Sequence, residues 1–319
     1  MRFMEKRSEI ILKSVTFLVP VILMVGAAAA IGEQEIIFPE IGAIATGLFL
    51  APRLSWRVNC RRIFLLLLLC GVLGMGIVRF VPGNVAVQMS LGYLLALLIL
   101  MLSGTTFAPM VSALVLPILL QTKSVWYLIS LVTFTALLIG LRKMLEHAGL
   151  LQREPFHPAA SSETASPALT IFRAVFATIM IATALSTGWT FMAAPPILVL
   201  FTELTSPGSR ALAHPGKAIL LMSLSAAAGA WVREIVAVRI ALSLLPLSVA
   251  MSGLLFLFIL FRMRLFLPPA GAAMLLAYLA PEQALVLYPL EILAGVSAYF
   301  AVALAYRAVT GGARSAAGK

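Results

Sequence analysis

Aspartate is missing from this chain altogether, and its 12 acidic residues are all glutamate, spread thinly over 319 positions. Chelation by clustered carboxylates and paired-carboxylate acid–base chemistry are left with few candidates. Cysteine is nearly as scarce: Cys60 and Cys70 stand at the start of and inside one apolar run, which gives neither a disulfide framework nor a zinc-ligand spacing. Of three histidines, His147 and His157 fall in a polar central stretch and His214 in a loop, none with a partner at ligand spacing. No Ser/His/Asp set, glycine-rich phosphate loop or His-Glu-x-x-His motif is present. These gaps lead us to expect no enzyme activity, no metal and no cofactor.

Charge as a whole is low. Charged residues make up 11% of the chain, hydrophobic residues 62%, and the mean hydropathy is +1.07. Soluble domains carry about 25% charged residues, so the balance is that of an all-α polytopic membrane protein. A net charge of +11 raises nucleic acid as a partner, but the basic residues sit in short loops between apolar runs, where they act as topology determinants. The expected partners are the lipid bilayer and a small-molecule solute; a homo-oligomer is compatible with the sequence and nucleic acid is not expected.

About twelve hydrophobic segments follow one another: 14–31, 39–51, 62–80, 86–103, 107–120 and 124–141, then 168–187, 194–205, 218–232, 241–261, 267–280 and 284–306. The first is preceded by Arg2, Lys6, Arg7 and Lys13 and ends at Ala27 to Ala30, a pattern shared with signal peptides; its length favours a retained helix. The expected organisation is a first membrane repeat over 1–141, a cytoplasmic linker over 142–167, a second repeat over 168–306 and a cytoplasmic tail over 307–319. With the N-terminus in the cytoplasm and every run crossing, all but four of the 23 Lys and Arg residues (Arg79, Lys123, Arg233 and Arg239) lie inside. The positive-inside rule thus predicts a multi-pass protein of the bacterial inner (plasma) membrane with both termini cytoplasmic.

The halves align at a nearly constant offset. Arg79 falls on Arg233, and Phe107-Ala108-Pro109 falls on Phe266-Leu267-Pro268, which sets Ser112 on Gly271. Within each half, Pro39 with Gly42 and Ala43 recurs at Pro109 with Ser112 and Ala113, and Pro195-Pro196 recurs at Pro268-Pro269. Two six-segment repeats, each with a nested inversion, are predicted, an arrangement many secondary transporters use.

Four of the segments are short and open at Pro39, Pro109, Pro195 and Pro268. A short helix starting inside the membrane is expected to present unpaired N–H groups and a positive dipole end, which suit an anion. The alternative is a set of thin helices packed through small residues. On the first reading the substrate-binding residues are Pro39, Gly42, Thr105, Thr106, Pro109, Ser112, Pro195, Pro196, Thr202, Pro268, Pro269 and Gly271. Four charged residues are candidates for proton or charge coupling, since charge inside a membrane is costly. Glu203 can pair with Arg210 or Lys217 or carry a proton, and Glu291 can be a proton carrier or an interfacial carboxylate. Arg79 and Arg233, at matching outer positions, can draw in an anion, or Arg233 can join Glu234 and Arg239 in an ion-pair cluster.

Leu267-Pro268-Pro269-Ala270-Gly271-Ala272, the apolar run to Leu279 and Tyr288-Pro289-Leu290 before a final helix resemble the HPP family of integral membrane proteins. That family is named for a His-Pro-Pro motif followed by small residues. Ser206-Pro207 and Leu212-Ala213-His214-Pro215-Gly216-Lys217 are similar to its loop of Pro-Leu-Ala-Gln-Pro-Arg type. The resemblance covers about 168 to 306, with Leu267 where the motif has histidine. It implies a transporter, and for some members movement of nitrite. The sequence therefore points to a membrane permease for a small solute, such as a small anion. The alternative is a non-transporting scaffold or accessory subunit docking a partner through basic cytoplasmic loops.

Overall fold

The computed structural model describes residues 2–152, 166–209 and 211–317. Among these residues the regular structure is helical, with no strand. Eight helices are long and apolar enough to cross a membrane: α1 (Arg2–Ile31), α3 (Cys60–Phe80), α4 (Val85–Ser103), α6 (Trp126–His147), α7 (Pro167–Thr187), α9 (Pro215–Val232), α10 (Leu245–Met263) and α12 (Tyr288–Ala317). Four short helices are interleaved with them: α2 (Glu40–Ala45, continuing in wider turns over Thr46–Leu50), α5 (Pro109–Leu120), α8 (Pro195–Leu204) and α11 (Pro268–Leu276). This is the make-up of a multi-pass α-helical membrane protein. Helix α6 runs on to His147, past the end of the apolar run. The central part of the expected linker, with His157, lies outside the described residues, as does Arg210.

Local sequence accounts for the boundaries. Asn59 and Asn84 accept hydrogen bonds from Arg62 N (2.8 Å) and Val87 N (3.0 Å), capping α3 and α4. Prolines open α5, α7, α8, α9 and α11, where the first N–H groups would lack an intrahelical acceptor. Gly104 and Gly188 end α4 and α7 in the left-handed conformation that glycine adopts without strain.

Burial separates the two kinds of helix. Every residue of α2 and α11 is buried, as are Pro109 to Ile118 of α5 and all of α8 except Glu203. A helix apolar all round belongs in a core, and these four form the centre of the molecule. The long helices make the wall. Their outward faces carry exposed Leu65, Leu69 and Val72 on α3, Leu91, Leu94 and Leu98 on α4, and Leu254 and Phe258 on α10. Apolar area of that extent suits lipid rather than water.

The central helices touch backbone to backbone. A Cβ added to Gly42 would lie 2.5 Å from the Gly271 carbonyl oxygen, and one added to Gly271 would lie 2.6 Å from that of Gly42. The same device joins wall to centre, with Gly74 of α3 on the Leu114 carbonyl of α5 and Gly229 of α9 on the Met274 carbonyl of α11. Of the three glycines in α3, Gly71 and Gly74 pack against neighbours, whereas Gly76 faces open space. Small residues thus allow the close approach expected of helices that pack in a membrane.

Candidate functional site

The first turns of all four short helices meet. Glu40 and Ala43 of α2, Pro109 and Ser112 of α5, Pro196 and Val199 of α8, and Pro269 and Ala272 of α11 line one narrow void, too tight for a water molecule. Each helix contributes two residues three apart, the spacing that sets side chains on one face. The peptide dipoles of the four helices point their positive ends at this space.

Three of the helices offer proline at the leading lining position, and the fourth offers Glu40. Its side chain is 0% exposed. One carboxylate oxygen accepts a hydrogen bond from the Ser112 hydroxyl, and Oε2 has no partner on another described residue. A buried carboxylate oxygen left unmatched in an apolar setting is costly. Glu40 is the residue that sequence reasoning overlooked. Its signal was a glutamate directly after Pro39 inside an apolar run, the same criterion that singled out Glu203 and Glu291.

Free N–H groups at these helix ends are fewer than expected. The prolines carry none, and Ile41, Gly42, Val111, Ile197, Leu198 and Ala270 donate to carbonyls one turn back, at Phe38, Pro39, Ala108, Ala194, Ala194 and Leu267. The junction therefore acts through dipoles, the Glu40 carboxyl and the Ser112 hydroxyl, with little scope for coordination by backbone N–H.

The far ends of the short helices are closed in a matching way. Arg142 Nη1 donates to Leu48 O (2.9 Å) at the end of α2. Arg173 donates to Thr202 O (2.7 Å) and Thr205 Oγ1 (2.8 Å) at the end of α8. Arg233 Nη1 donates to Ala277 O (2.6 Å) and Ala280 O (2.7 Å) beyond α11. At the end of α5, Gln121 Nε2 donates to Ile118 O (2.8 Å) and to Gln88 Oε1 (2.9 Å). Cations at helix C-termini satisfy orphan carbonyls and oppose the dipole.

Of the sequence-predicted site residues, Pro109, Ser112, Pro196 and Pro269 line the void. Pro39, Pro195 and Pro268 lie one residue before the lining positions; Gly42 and Gly271 form the helix crossing instead. Thr105 and Thr106 are elsewhere: Thr105 Oγ1 is 2.8 Å from Ser103 Oγ, and Thr106 Oγ1 accepts from Arg57 N at 2.9 Å, pairing two loops. Thr202, at the C-terminal end of α8, has its hydroxyl 3.0 Å from Tyr93 Oη.

The coupling candidates are dispersed. Glu203 accepts from Trp56 Nε1 at 2.8 Å, with no bond to Lys217 among the described contacts. Glu291 accepts from Phe191 N at 2.8 Å, fixing the turn that leads into α8. Arg79 is exposed while Arg233 is 5% exposed, so their matching positions in sequence do not give matching surroundings. Arg233 donates to carbonyls, and the ion pair that Glu234 makes among the described residues is with Arg239 (3.1 Å). His214 lines a separate pocket of about 350 Å³ with Lys217, Arg262 and Arg264.

Compared with models of known families, with curated proteins and with solved structures, this chain matches none of them.

Proposed function

We propose that this protein is a transporter or permease for a small solute, with a small anion such as nitrite as the preferred class, and that the solute passes between the first turns of the four short helices. The observation that carries the reading is the junction itself: four helix N-termini around one void, with Glu40 the one ionisable residue in its lining. Sites built from paired short helices near the membrane midplane recur in secondary transporters. The void is tight, so transport requires the four helices to part, a motion that the bistable packing of helix pairs allows.

The reading includes twelve crossings in two six-segment repeats with both termini in the cytoplasm of a bacterial inner membrane, and the HPP-like relationship. Matching contacts support the repeats. Tyr127 Oη donates to Ala113 O (2.7 Å) and Tyr288 Oη to Ala273 O (2.6 Å), each from a wall helix to the short helix that precedes it. Gly74 on Leu114 and Gly229 on Met274 repeat in the same way. The contacts between helix ends fall into two groups that agree with alternating crossings. Arg142 with Leu48 and Arg173 with Thr202 join ends assigned to the cytoplasmic side; Gln88 with Gln121 and Arg233 with Ala280 join ends assigned to the outer side.

The test is flux into proteoliposomes of the purified protein with nitrite, nitrate and chloride as probes. Ser112→Leu or Ala272→Leu fills the void and is expected to stop uptake, while Gly26→Ala, where the added Cβ meets nothing within 4 Å, leaves it intact. Absence of flux for every probe refutes the reading.

The scaffold alternative has one observation in its favour, the pocket of His214, Lys217, Arg262 and Arg264, which suits an acidic partner segment. A stoichiometric partner released by Arg262→Glu and Arg264→Glu, in a protein without flux, would establish it.

A further inference from the structure

An anion drawn to the junction finds a negative group already there. The Glu40 side chain lines the meeting point of four positive helix ends, and its Oε2 is buried with no hydrogen-bond partner on another described residue. Two negative charges about 4 Å apart at an effective dielectric of about 20 weaken anion binding by roughly three orders of magnitude. The helix ends offset part of that repulsion, but the void is too tight even for a water molecule, so a carboxylate and a solute anion compete for the same space. The junction therefore accepts the carboxylate or a solute anion, and not both.

We propose that Glu40 is the coupling group of this junction, holding the solute's place as a carboxylate and admitting an anion only with a proton on its side chain. The inference rests on the transport reading above. Its balance is simple: the carboxylate takes one proton from water on the side from which the anion enters, and the neutral acid turns aside or stays as a hydrogen-bond donor. The acid then loses that proton to the opposite side as the anion leaves. One proton moves with one anion, in the same direction, so the cycle is electroneutral for a monovalent anion.

Among the described residues that line the void, Glu40 is the ionisable one; Glu35, whose Oε2 is also buried without a partner, is not part of the lining. Ser112, from α5, is its hydrogen-bond partner and does not titrate in the working range. The lining residues from α8 and α11 are Pro196, Val199, Pro269 and Ala272, none of them ionisable. From α6 the titratable neighbour is Tyr127, whose hydroxyl is committed to Ala113 O at 2.7 Å. The stretch of α1 from Ser14 to Ile31, which packs on α2, contains no ionisable residue, nor do Thr46 to Leu50. Glu203 belongs to Trp56 at the other end of α8.

Two measurements on the full-length protein test this. In liposomes loaded with a pH dye and held at equal pH on both sides, an inward nitrite, nitrate or chloride gradient should acidify the lumen by about one proton per anion taken up. The Glu40→Gln variant has a permanently neutral side chain of nearly the same shape, and should move the same anion with no acidification and no dependence on pH. In weakly buffered detergent solution, addition of the anion should draw about one proton per site from the medium for the native protein and none for Glu40→Gln. Native protein that moves an anion with no linked proton overturns the coupling proposal and leaves the transport reading standing. A Glu40→Gln protein that is folded by its melting curve yet still moves protons, or moves no anion, also overturns it. No flux by the native protein for any probe removes the transport reading and this inference together. Glu40→Ala is the second variant should the glutamine fold poorly, with the same outcomes expected.

Discussion

Gly42 and Gly271 face each other so closely that each stands where a side chain of the other would go, 2.5 Å and 2.6 Å from the partner's carbonyl oxygen. Because backbone rather than a flexible side chain is the obstacle, an added methyl group must push α2 and α11 apart. Gly42→Ala should cost about 1–3 kcal/mol, the usual range for overpacking, read as a lower midpoint in SDS or thermal unfolding. Gly140→Ala, where nothing lies within 4 Å, should be neutral or slightly stabilising, since alanine favours a helix by up to about 1 kcal/mol. Equal effects at the two sites would exclude the crossing as a tight contact.

Much of this arrangement is legible in the sequence and one part is hidden for a geometric reason. Apolar length and bounding charge mark the eight long helices, and proline with small residues marks the four short ones at the places where they occur. Aligning the segments on their prolines sets Pro39 opposite Pro109 and Ser112 opposite Gly271. The void is lined in a register one residue further on, with Glu40 opposite Pro109 and Ser112 opposite Ala272. A shift of one residue turns a helix by about 100°, enough to exchange a packing face for a lining face. The shift explains why the proline alignment points to Gly42 and Gly271, which form the crossing; Glu40 is legible only as a carboxylate inside an apolar run. The roles of Arg142, Arg173 and Arg233 were hidden too, because the carbonyls they cap belong to helices 29 to 94 residues away in sequence.

Trp56 and Glu203 join the two halves of the chain, and their variants should separate in effect. Glu203→Gln keeps a carbonyl oxygen for the indole N–H at 2.8 Å and loses only the charge assistance. Trp56→Phe removes the donor and leaves the carboxylate unmatched, besides losing part of an edge contact with Phe107 at 5.2 Å between ring centroids. A hydrogen bond to a charged group is worth about 1.5–3 kcal/mol, so Trp56→Phe should destabilise by about that much and Glu203→Gln by less. The reverse order in unfolding midpoints would contradict the contact.

Arg79 and Arg233 give a sharp contrast despite their matching positions in the sequence. Arg233 is buried and caps the carbonyls of Ala277 and Ala280, so Arg233→Met should lower stability by about 2–4 kcal/mol through two lost charged bonds and two orphaned acceptors. Arg79 is exposed, and Arg79→Ala should change stability by no more than about 0.5 kcal/mol and leave anion uptake within twofold of the native rate. A large loss of uptake in Arg79→Ala at unchanged stability would restore it as an anion-attracting residue.

Glu291 offers a control for the coupling role proposed for Glu40. It accepts from Phe191 N at 2.8 Å and so fixes the turn, packed by Phe191 on Tyr288 at 4.9 Å between rings, that delivers the chain to Pro195. Glu291→Gln keeps an acceptor oxygen for that N–H, whereas Glu291→Leu strands a buried donor and should cost about 1–3 kcal/mol. Neither residue oxygen reaches the void, which is lined by other side chains. Glu291→Gln should therefore leave the proton-to-anion ratio and its pH dependence unchanged, in the same liposome assay where Glu40→Gln loses both. If Glu291→Gln uncouples the flux while Glu40→Gln does not, the proton travels along α12 and the junction is only a passage.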